Sequence, residues 1–383
     1  MNHRIYLDYA ATAPLSRAAG EAMLPWLTDY FGNPSSVHSF GRDARKALQT
    51  ARRQVAEAIG ADPSEIYFTS GGAESDNWAI KGVAFARRAA GNHLITTAIE
   101  HHAVLNACKW LEKQGFEVTY LPVDPDGFVS PDQVEKAITD RTILISVMCA
   151  NNEIGTIEPI SEIGRVAATR HIPFHTDAVQ AVGAMKLDIR EMQVDMLSLS
   201  GHKLHGPKGV GALYLRTGTH IDPLIHGGGQ ERGLRAGTEH VAGAVGLGVA
   251  VAESCACMEE TNRRVSALRD SLVEGILARI PDVRLNGPVS SRLPGNANFS
   301  FAGVEGESLL LRLDLAGIAC SSGSACTSGS MDPSHVLRAI GLCEEEANGS
   351  VRMTLGRETT AEEIQEVLRI LPETVGHLRA LHR

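Results

Sequence analysis

The chain has 383 residues, of which 43% are hydrophobic and 21% are charged, and its formal net charge at pH 7 is −9. This composition is typical of a folded protein of about two or three domains and excludes an intrinsically disordered chain. An acidic chain with no run of basic residues lacks the electrostatic features of proteins that bind nucleic acids or anionic membranes.

The sequence shows no sign of a targeting signal or a membrane-spanning segment. The first eight residues include Arg4 and Asp8 and have no apolar core, which argues against a secretory signal. The longest apolar stretch, residues 240–253, is too short and too rich in glycine to cross a bilayer of about 30 Å. The seven cysteines form no paired C-x-x-C pattern, so we expect free thiols in a reducing cytoplasm.

In chain order, the pattern begins with a helix and continues with alternating strands and helices. Apolar residues recur with a helical period from Ala44 to Ile59, and Gly60 is a typical helix end. Strands are then predicted at residues 65–68, 94–97, 142–148, 172–175, 196–199 and 211–215, mostly separated by stretches of helical length. This alternation predicts an α/β fold with a mostly parallel sheet covered by helices on both faces.

The remaining third of the chain predicts a smaller α+β domain. Residues 242–280 have helical character with a hinge near Met258, and they are followed by a strand at 298–301 and a helix at 306–315. A loop rich in glycine and serine comes next, and a final helix starts near Ala361. We therefore expect a large domain of residues 13–258 and a small domain of residues 1–12 and 259–383, which carries a loop at 316–332.

Polar side chains follow five of the predicted strands at the point where each strand ends. Ligands of open α/β sheets bind outside the carboxyl ends of the strands, so these groups predict one shared site. The groups, in chain order, are Thr69-Ser70-Gly71-Gly72, Glu100-His101-His102, Asn151-Asn152-Glu153, Asp177 with Gln180, and Ser200-Gly201-His202-Lys203.

The residue types in this set indicate pyridoxal phosphate. The Gly71-Gly72 turn before a helix is suited to a phosphate, although it is neither a Walker loop nor a dinucleotide-binding fingerprint. Lys203 supplies an amine that can form a Schiff base, and Asp177 supplies an anion that can face the pyridine nitrogen.

A candidate nucleophile, Cys326, lies at the centre of the predicted loop, AGIACSSGSACTSGSMD. Glycine and serine favour a mobile loop, and a polar loop tip is unusual for a cysteine that serves only as a small core residue. Five extended residues on each side would allow an excursion of at most about 17 Å. Cys320 is the alternative thiol, but its apolar neighbours predict that it is buried.

The motifs around these residues resemble those of the cysteine desulfurases, in the subgroup that supplies sulfur to nitrogenase and to general iron–sulfur cluster assembly. The resemblance extends over residues 6–359 and also includes FGNPSSVHSFGR and QERGLRAGTEH. It implies the fold of class-V aminotransferases, with a seven-stranded, mostly parallel sheet in the domain that binds pyridoxal phosphate. The matching motifs are FTSGGAESDN, TTAIEHHAVL, NNEIGT, HTDAVQAVG, SGHKLHGPKG and SSGSACTSGSMDPSHVLRAIG.

The resemblance also implies a role for each matching residue. Lys203 would bind the cofactor as a Schiff base, and His101 would stack on its ring and assist proton transfer. Asp177 would hold the ring nitrogen and Gln180 the ring hydroxyl. The phosphate would be bound by Gly72, Ala73, Ser200 and His202, with Thr238 added from a second subunit; the substrate would be bound by Asn152, Arg352 and Asn33.

By the same resemblance, the reaction would convert L-cysteine into L-alanine and leave a persulfide on Cys326. That sulfur would pass to an iron–sulfur scaffold protein, with Cys326 as a transient iron or cluster ligand and nitrogenase maturation as one destination. Ala73 replaces the threonine that such enzymes usually carry, which removes a hydroxyl bond of about 1.5–3 kcal/mol to the phosphate. Two alternatives stay open: another pyridoxal phosphate reaction with Cys326 incidental, and a noncatalytic thiol scaffold that carries sulfur or iron.

Overall fold

The computed structural model describes residues 4–323 and 333–381, and Cys326 lies outside these ranges. The helices are α1 (Arg17–Thr28), α2 (Ser39–Ile59), α3 (Gly72–Ala86), α4 (His102–Glu112), α5 (Pro131–Ala137), α6 (Ile160–Thr169), α7 (Val241–Ala256), α8 (Met258–Arg279), α9 (Gly306–Leu315), α10 (His335–Ala339), α11 (Glu344–Asn348) and α12 (Ala361–Leu381). The strands are β1 (Ile5–Tyr6), β2 (Ile66–Thr69), β3 (His93–Thr97), β4 (Glu117–Leu121), β5 (Thr142–Ser146), β6 (Phe174–Asp177), β7 (Met196–Ser200), β8 (Gly211–Leu215), β9 (Val283–Leu285), β10 (Asn296–Phe301), β11 (Ile318–Ala319) and β12 (Ser350–Thr354).

The central element is a seven-stranded sheet in the order β2-β8-β7-β6-β5-β3-β4. Strands β7, β6, β5, β3 and β4 pair in parallel, whereas β8 runs antiparallel to both of its neighbours. The predicted α/β class and mostly parallel sheet are therefore confirmed.

Helices cover both faces of this sheet, as its buried residues show. In β2, Ile66 and Phe68 pack with α2 and α7, whereas the intervening Tyr67 packs on the opposite face with α3 and α4. Leu197 and Met196 of β7 divide between the faces in the same way. Strands buried on both faces need no alternation of apolar and polar residues, and the short, mostly apolar runs of β2, β5 and β8 are the pattern from which these strands were predicted.

A second core lies around the antiparallel sheet β12-β10-β9, which packs with α8, α9 and α12. Ile5 and Leu7 belong to this core, and β1 pairs with β11. The predicted break near Met258 coincides with the boundary between α7 and α8. The division into domains at residue 258 stays a prediction. Within the described ranges, no single helix is long and apolar enough to span a membrane. Helices α7 and α8 together have the length and composition of a span, but they are bent by 70° relative to each other.

A buried ion pair anchors the segment between β8 and α7. Arg52 of α2 binds the Glu231 carboxylate with both terminal nitrogens at 2.7 Å, and the side chains are 5% and 3% exposed. The same carboxylate accepts a hydrogen bond from the backbone N–H of Phe68 in β2. Glu231 and Arg232 both have positive φ, so these contacts stabilise a backbone conformation that is otherwise unfavourable.

We predict that Arg52→Ala lowers the free energy of unfolding by about 3–5 kcal/mol, because it leaves the Glu231 carboxylate buried without a counter-ion. The matched control is Arg141→Ala, since Arg141 also binds a glutamate, Glu117, with both nitrogens, but at the exposed surface. Urea unfolding followed by circular dichroism measures both. Equal losses in the two variants would contradict the account of the buried pair.

Candidate active site

A cavity of about 540 Å³ lies at the carboxyl ends of the parallel strands, within the size range of about 300–1,000 Å³ typical of ligand sites. Most of the residues predicted from the sequence line it: Gly72, Ala73, His101, Asn152, Asp177, Gln180, Ser200, His202, Lys203 and Arg352. Thr238 and Asn33 are exposed and lie outside its lining, and Cys326 falls outside the described residues.

One end of the cavity is suited to an anion. The helix α3 begins there at Gly72, and its N-cap residue, Gly71, provides no side-chain cap for the first backbone N–H groups. Ser200 and His202 line the same cavity. A Cβ at Gly211 would lie 2.7 Å from the Gly71 Cα, so β8 approaches this turn at a distance that requires glycine. Free helix N–H groups beside hydroxyl and imidazole groups are the donors that a phosphate needs.

The amine of Lys203 lies on another wall of the cavity, in the short 3-10 helix that follows β7. Its Nζ donates hydrogen bonds of 2.6 Å to the carbonyl oxygens of Ala10 and Ala11. Gln180 Nε2 donates to the same Ala10 oxygen at 3.0 Å. The segment near residue 10, which the sequence did not assign to the site, therefore holds two of the predicted site residues.

Asp177 ends β6 and is 5% exposed. Its Oδ1 accepts the backbone N–H of Val179 at 2.9 Å, which fixes the carboxylate. Burial raises the pKa of Asp177, and the nearby His101 and Lys203 oppose this shift. His101 caps α4, with its Nδ1 accepting the Ala103 N–H at 3.1 Å, so Nε2 is the ring nitrogen left to face other groups.

Asp76 is a buried carboxyl group of the site that the sequence reasoning missed. It lines the cavity from α3, and one of its carboxylate oxygens lies within 4.8 Å of a ring nitrogen of His101 and of a carboxylate oxygen of Asp177. Burial, reinforced by the negative charge of Asp177, raises the pKa of Asp76 well above its usual range. Asp76 comes four residues after Gly72, so the two residues share one face of the helix. This spacing could have predicted Asp76 as a site residue from the sequence.

Arg352 of β12 brings a buried guanidinium to the cavity. It is 1% exposed, its Nη2 binds Asp8 Oδ1 at 2.9 Å, and its Nη1 donates to the Asn152 carbonyl oxygen at 2.9 Å. Among the residues that the structure describes, its Nε–H has no hydrogen-bond partner. Asp8 was also missed, because only the long-range packing of the N-terminal segment brings it to Arg352.

Comparison with known proteins places these features in a family. Residues 5–367 match the model of the class-V aminotransferases. The chain is 56% identical to a cysteine desulfurase IscS of Clostridium botulinum over 383 residues, covering 100% of this chain and 96% of that protein. It belongs to the cysteine desulfurases of the class-V aminotransferase family.

Solved structures agree with this assignment. A NifS-like protein superposes with a TM-score of 0.92 at 38% identity, covering 98% of this chain and 100% of that one. A structure described as SspA in complex with cysteine superposes with a TM-score of 0.82 at 44% identity, covering 93% and 100%. The predicted family, fold and pyridoxal phosphate dependence are thus confirmed.

Glu100 is a fully buried acid directly before His101. Its Oε1 accepts hydrogen bonds from Thr97 Oγ1 at 2.8 Å and from the backbone N–H of Met148 at 2.9 Å. Burial raises its pKa to about 8. The carboxyl group is therefore largely protonated at neutral pH, and its ionisation opposes folding.

We predict that Glu100→Gln removes a decline in stability with rising pH. The native state of the wild type binds the Glu100 proton more tightly than the unfolded state, whose pKa is near 4.5, so Glu100 destabilises the protein progressively from about pH 4.5 to pH 8. The variant should match the wild type below about pH 4.5 and become the more stable protein at higher pH, as measured by urea unfolding. Glu117→Gln, at an exposed position, is the control. A pH-independent difference for Glu100→Gln would refute the prediction.

Proposed function

We propose that this chain removes sulfur from L-cysteine, with pyridoxal 5′-phosphate as cofactor, and releases L-alanine while a persulfide forms on Cys326. The observation that carries the proposal is one cavity lined by the Lys203 amine, the Asp177 carboxylate and the N-terminus of α3. An amine, a buried anion and an anion-binding helix terminus are the three groups that this cofactor requires.

The residues of the cavity fit the cofactor. Lys203 would bind it as a Schiff base, Asp177 would hold its ring nitrogen, and Gln180 its ring hydroxyl. The uncapped N–H groups at Gly72 and Ala73, with Ser200 and His202, would bind the phosphate, and His101 would stack on the ring. The lack of a side-chain cap at Gly71 supports this arrangement, because those N–H groups are left to a ligand.

When bound, the cofactor supplies an electron sink for the Cα–H bond of the substrate. Lys203 would take the Cα proton. Its amine donates hydrogen bonds to the carbonyl oxygens of residues 10 and 11 at the wall of the cavity, which supports this role. Arg352 and Asn152 would bind the substrate carboxylate. The buried Nε–H of Arg352, unpartnered within the described part of the chain, supports that role.

The thiolate of Cys326 would attack the sulfur of the substrate. A sulfur–sulfur bond forms, the Cβ–S bond of the substrate breaks, and its electron pair stays with the three-carbon fragment, which leaves as L-alanine after protonation. The net change converts L-cysteine and a thiol into L-alanine and a persulfide, so no external oxidant or reductant is needed. The relative described as SspA in complex with cysteine supports L-cysteine as the substrate.

A homodimer is part of the proposal. Large apolar side chains are exposed on α1, on the loop after it and at the start of α2: Leu24, Leu27, Phe31, Val37 and Phe40 are 52–85% exposed. A cluster of this kind on a soluble protein usually marks an interface. Thr238 is exposed and does not line the cavity of its own subunit. This supports its proposed role in the phosphate site of a second subunit. The substrate role of Asn33 stays a prediction.

The acceptor of the sulfur is a separate part of the proposal. We propose an iron–sulfur scaffold protein in the cytoplasm as the acceptor, with Cys326 as a transient ligand of iron or of a cluster. The names of the relatives, which are IscS and NifS-like proteins, support such an acceptor. Nitrogenase maturation is one destination of this kind.

The test incubates the holoenzyme with L-cysteine and a reductant and measures sulfide and L-alanine. We expect equal amounts of the two products from the wild type. In Cys326→Ala, the rate of product formation should fall by at least about a hundredfold, because no thiolate attacks the substrate sulfur. Cys320→Ala, which changes the partly buried neighbouring thiol, should keep most of the activity. Unchanged sulfur transfer in Cys326→Ala would overturn the role of Cys326, and amino-group transfer without sulfide would overturn the reaction.

A further inference from the structure

Glu153 is a buried residue that the proposed chemistry leaves without a role. It follows Asn152 in the segment between β5 and α6 and is 1% exposed. Its backbone N–H donates to Asn151 Oδ1 at 2.8 Å, and its carbonyl oxygen accepts the side-chain amides of Asn296 and Asn298 at 3.1 Å. The backbone of Glu153 is therefore held by Asn151 in the segment after β5 and by two asparagines of β10.

The carboxylate of Glu153 contacts both residues that flank the stretch containing Cys326. Ser334 Oγ donates to Glu153 Oε2 at 2.5 Å. A Cβ on Gly323 would lie 2.9 Å from the same oxygen and 3.5 Å from the Ser334 Cβ, and Gly323 has a φ of +61°. Glycine is thus favoured at position 323, because the backbone is left-handed there and a Cβ would crowd the carboxylate.

Neighbouring hydrogen bonds connect the two segments that flank Cys326 to the active site. Ser321 Oγ donates to Asp8 Oδ2 at 2.8 Å, and Asp8 also binds Arg352. On the other side, His335 Nε2 donates to the Glu100 carbonyl oxygen at 3.0 Å, directly before His101. Among these groups, the Glu153 carboxylate is the one that contacts both flanking segments, at Gly323 and at Ser334.

The distance along the chain gives this contact a consequence for Cys326. Cys326 comes three residues after Gly323, so its Cα lies within about 10 Å of the Gly323 Cα in any conformation. From Ser334 the limit is about 27 Å. The position of Gly323 therefore sets the region that the Cys326 thiol can reach, and Gly323 rests against Glu153.

We propose that Glu153 is a positioning residue for sulfur transfer, whose carboxylate holds Gly323 and Ser334 together and so places Cys326 within reach of the substrate sulfur. This inference rests on the proposed function. It assigns Glu153 and Ser334 to the step that uses Cys326, and not to the earlier proton removal by Lys203.

The experiment compares two reactions of the same holoenzyme. The first is exchange of the Cα proton of L-alanine with deuterated water, followed by proton NMR, which requires the cofactor and Lys203 but not Cys326. The second is the single-turnover formation of L-alanine from L-cysteine, which requires Cys326. A loss confined to the second reaction distinguishes positioning of the thiol from damage to the cofactor site.

We expect Glu153→Gln and Ser334→Ala to slow the single-turnover reaction by on the order of tenfold to a hundredfold and to leave the exchange reaction within about twofold of wild type. Ser334→Thr, which keeps the hydroxyl, should restore most of the rate. The matched control is Ser308→Ala, because Ser308 also donates to a glutamate, Glu305, at 2.6 Å, but on the exposed surface of α9.

Equal slowing of both reactions, or no slowing of the second, would overturn the proposal. Failure of the proposed function is recognised separately. In that case the wild type forms no sulfide or Cys326→Ala keeps full activity, whatever the Glu153 variants do. A Glu153→Gln protein that does not fold leaves Ser334→Ala and Ser334→Thr as the deciding pair, because Ser334 is only partly buried.

Discussion

The arrangement of the site depends on the parallel pairing of β6 and β7. Their register places Asp177 beside Ser198, so the chain that leaves β7 carries Lys203 to the same edge of the sheet at which Asp177 ends β6. Burial raises the pKa of the Asp177 carboxylate, and the nearby positive charge of Lys203, which lines the same cavity, opposes that rise. A one-residue slip between these strands would shift the point at which β7 ends, and Lys203 with it, by about 3.3 Å relative to Asp177.

The sheet provides only part of the site, and the remainder comes from distant parts of the chain. Arg352 reaches the cavity from β12, and residues 8–12 bring Asp8 and the carbonyl oxygens that bind Lys203. Because Arg352 contacts both Asp8 and the backbone of Asn152, it joins the second core to the loop after β5. The proposed substrate site thus lies where the two cores meet, next to the segments at Gly323 and Ser334 that contact Glu153.

Most of the fold and of the cofactor site could be predicted from local sequence patterns. Fully buried strands such as β2 and β5 produce mostly apolar runs, and polar groups directly after such runs lie at one edge of the sheet. The strand β4 was missed because it is half exposed at the edge of the sheet and its sequence, EVTYL, gives a weak signal. Asp8 and Glu153 were missed as partners of Arg352 and Ser334 because nothing local indicates contacts across more than a hundred residues.

The central claim is that the cofactor is attached to Lys203 opposite Asp177, and borohydride reduction tests it most directly. Reduction of the holoenzyme fixes a Schiff base as a stable secondary amine, and peptide mass spectrometry then locates the phosphopyridoxyl group. We predict that the group is found on Lys203. Labelling of Lys208, which also lines the cavity, or the absence of any label in cofactor-saturated protein would contradict the account.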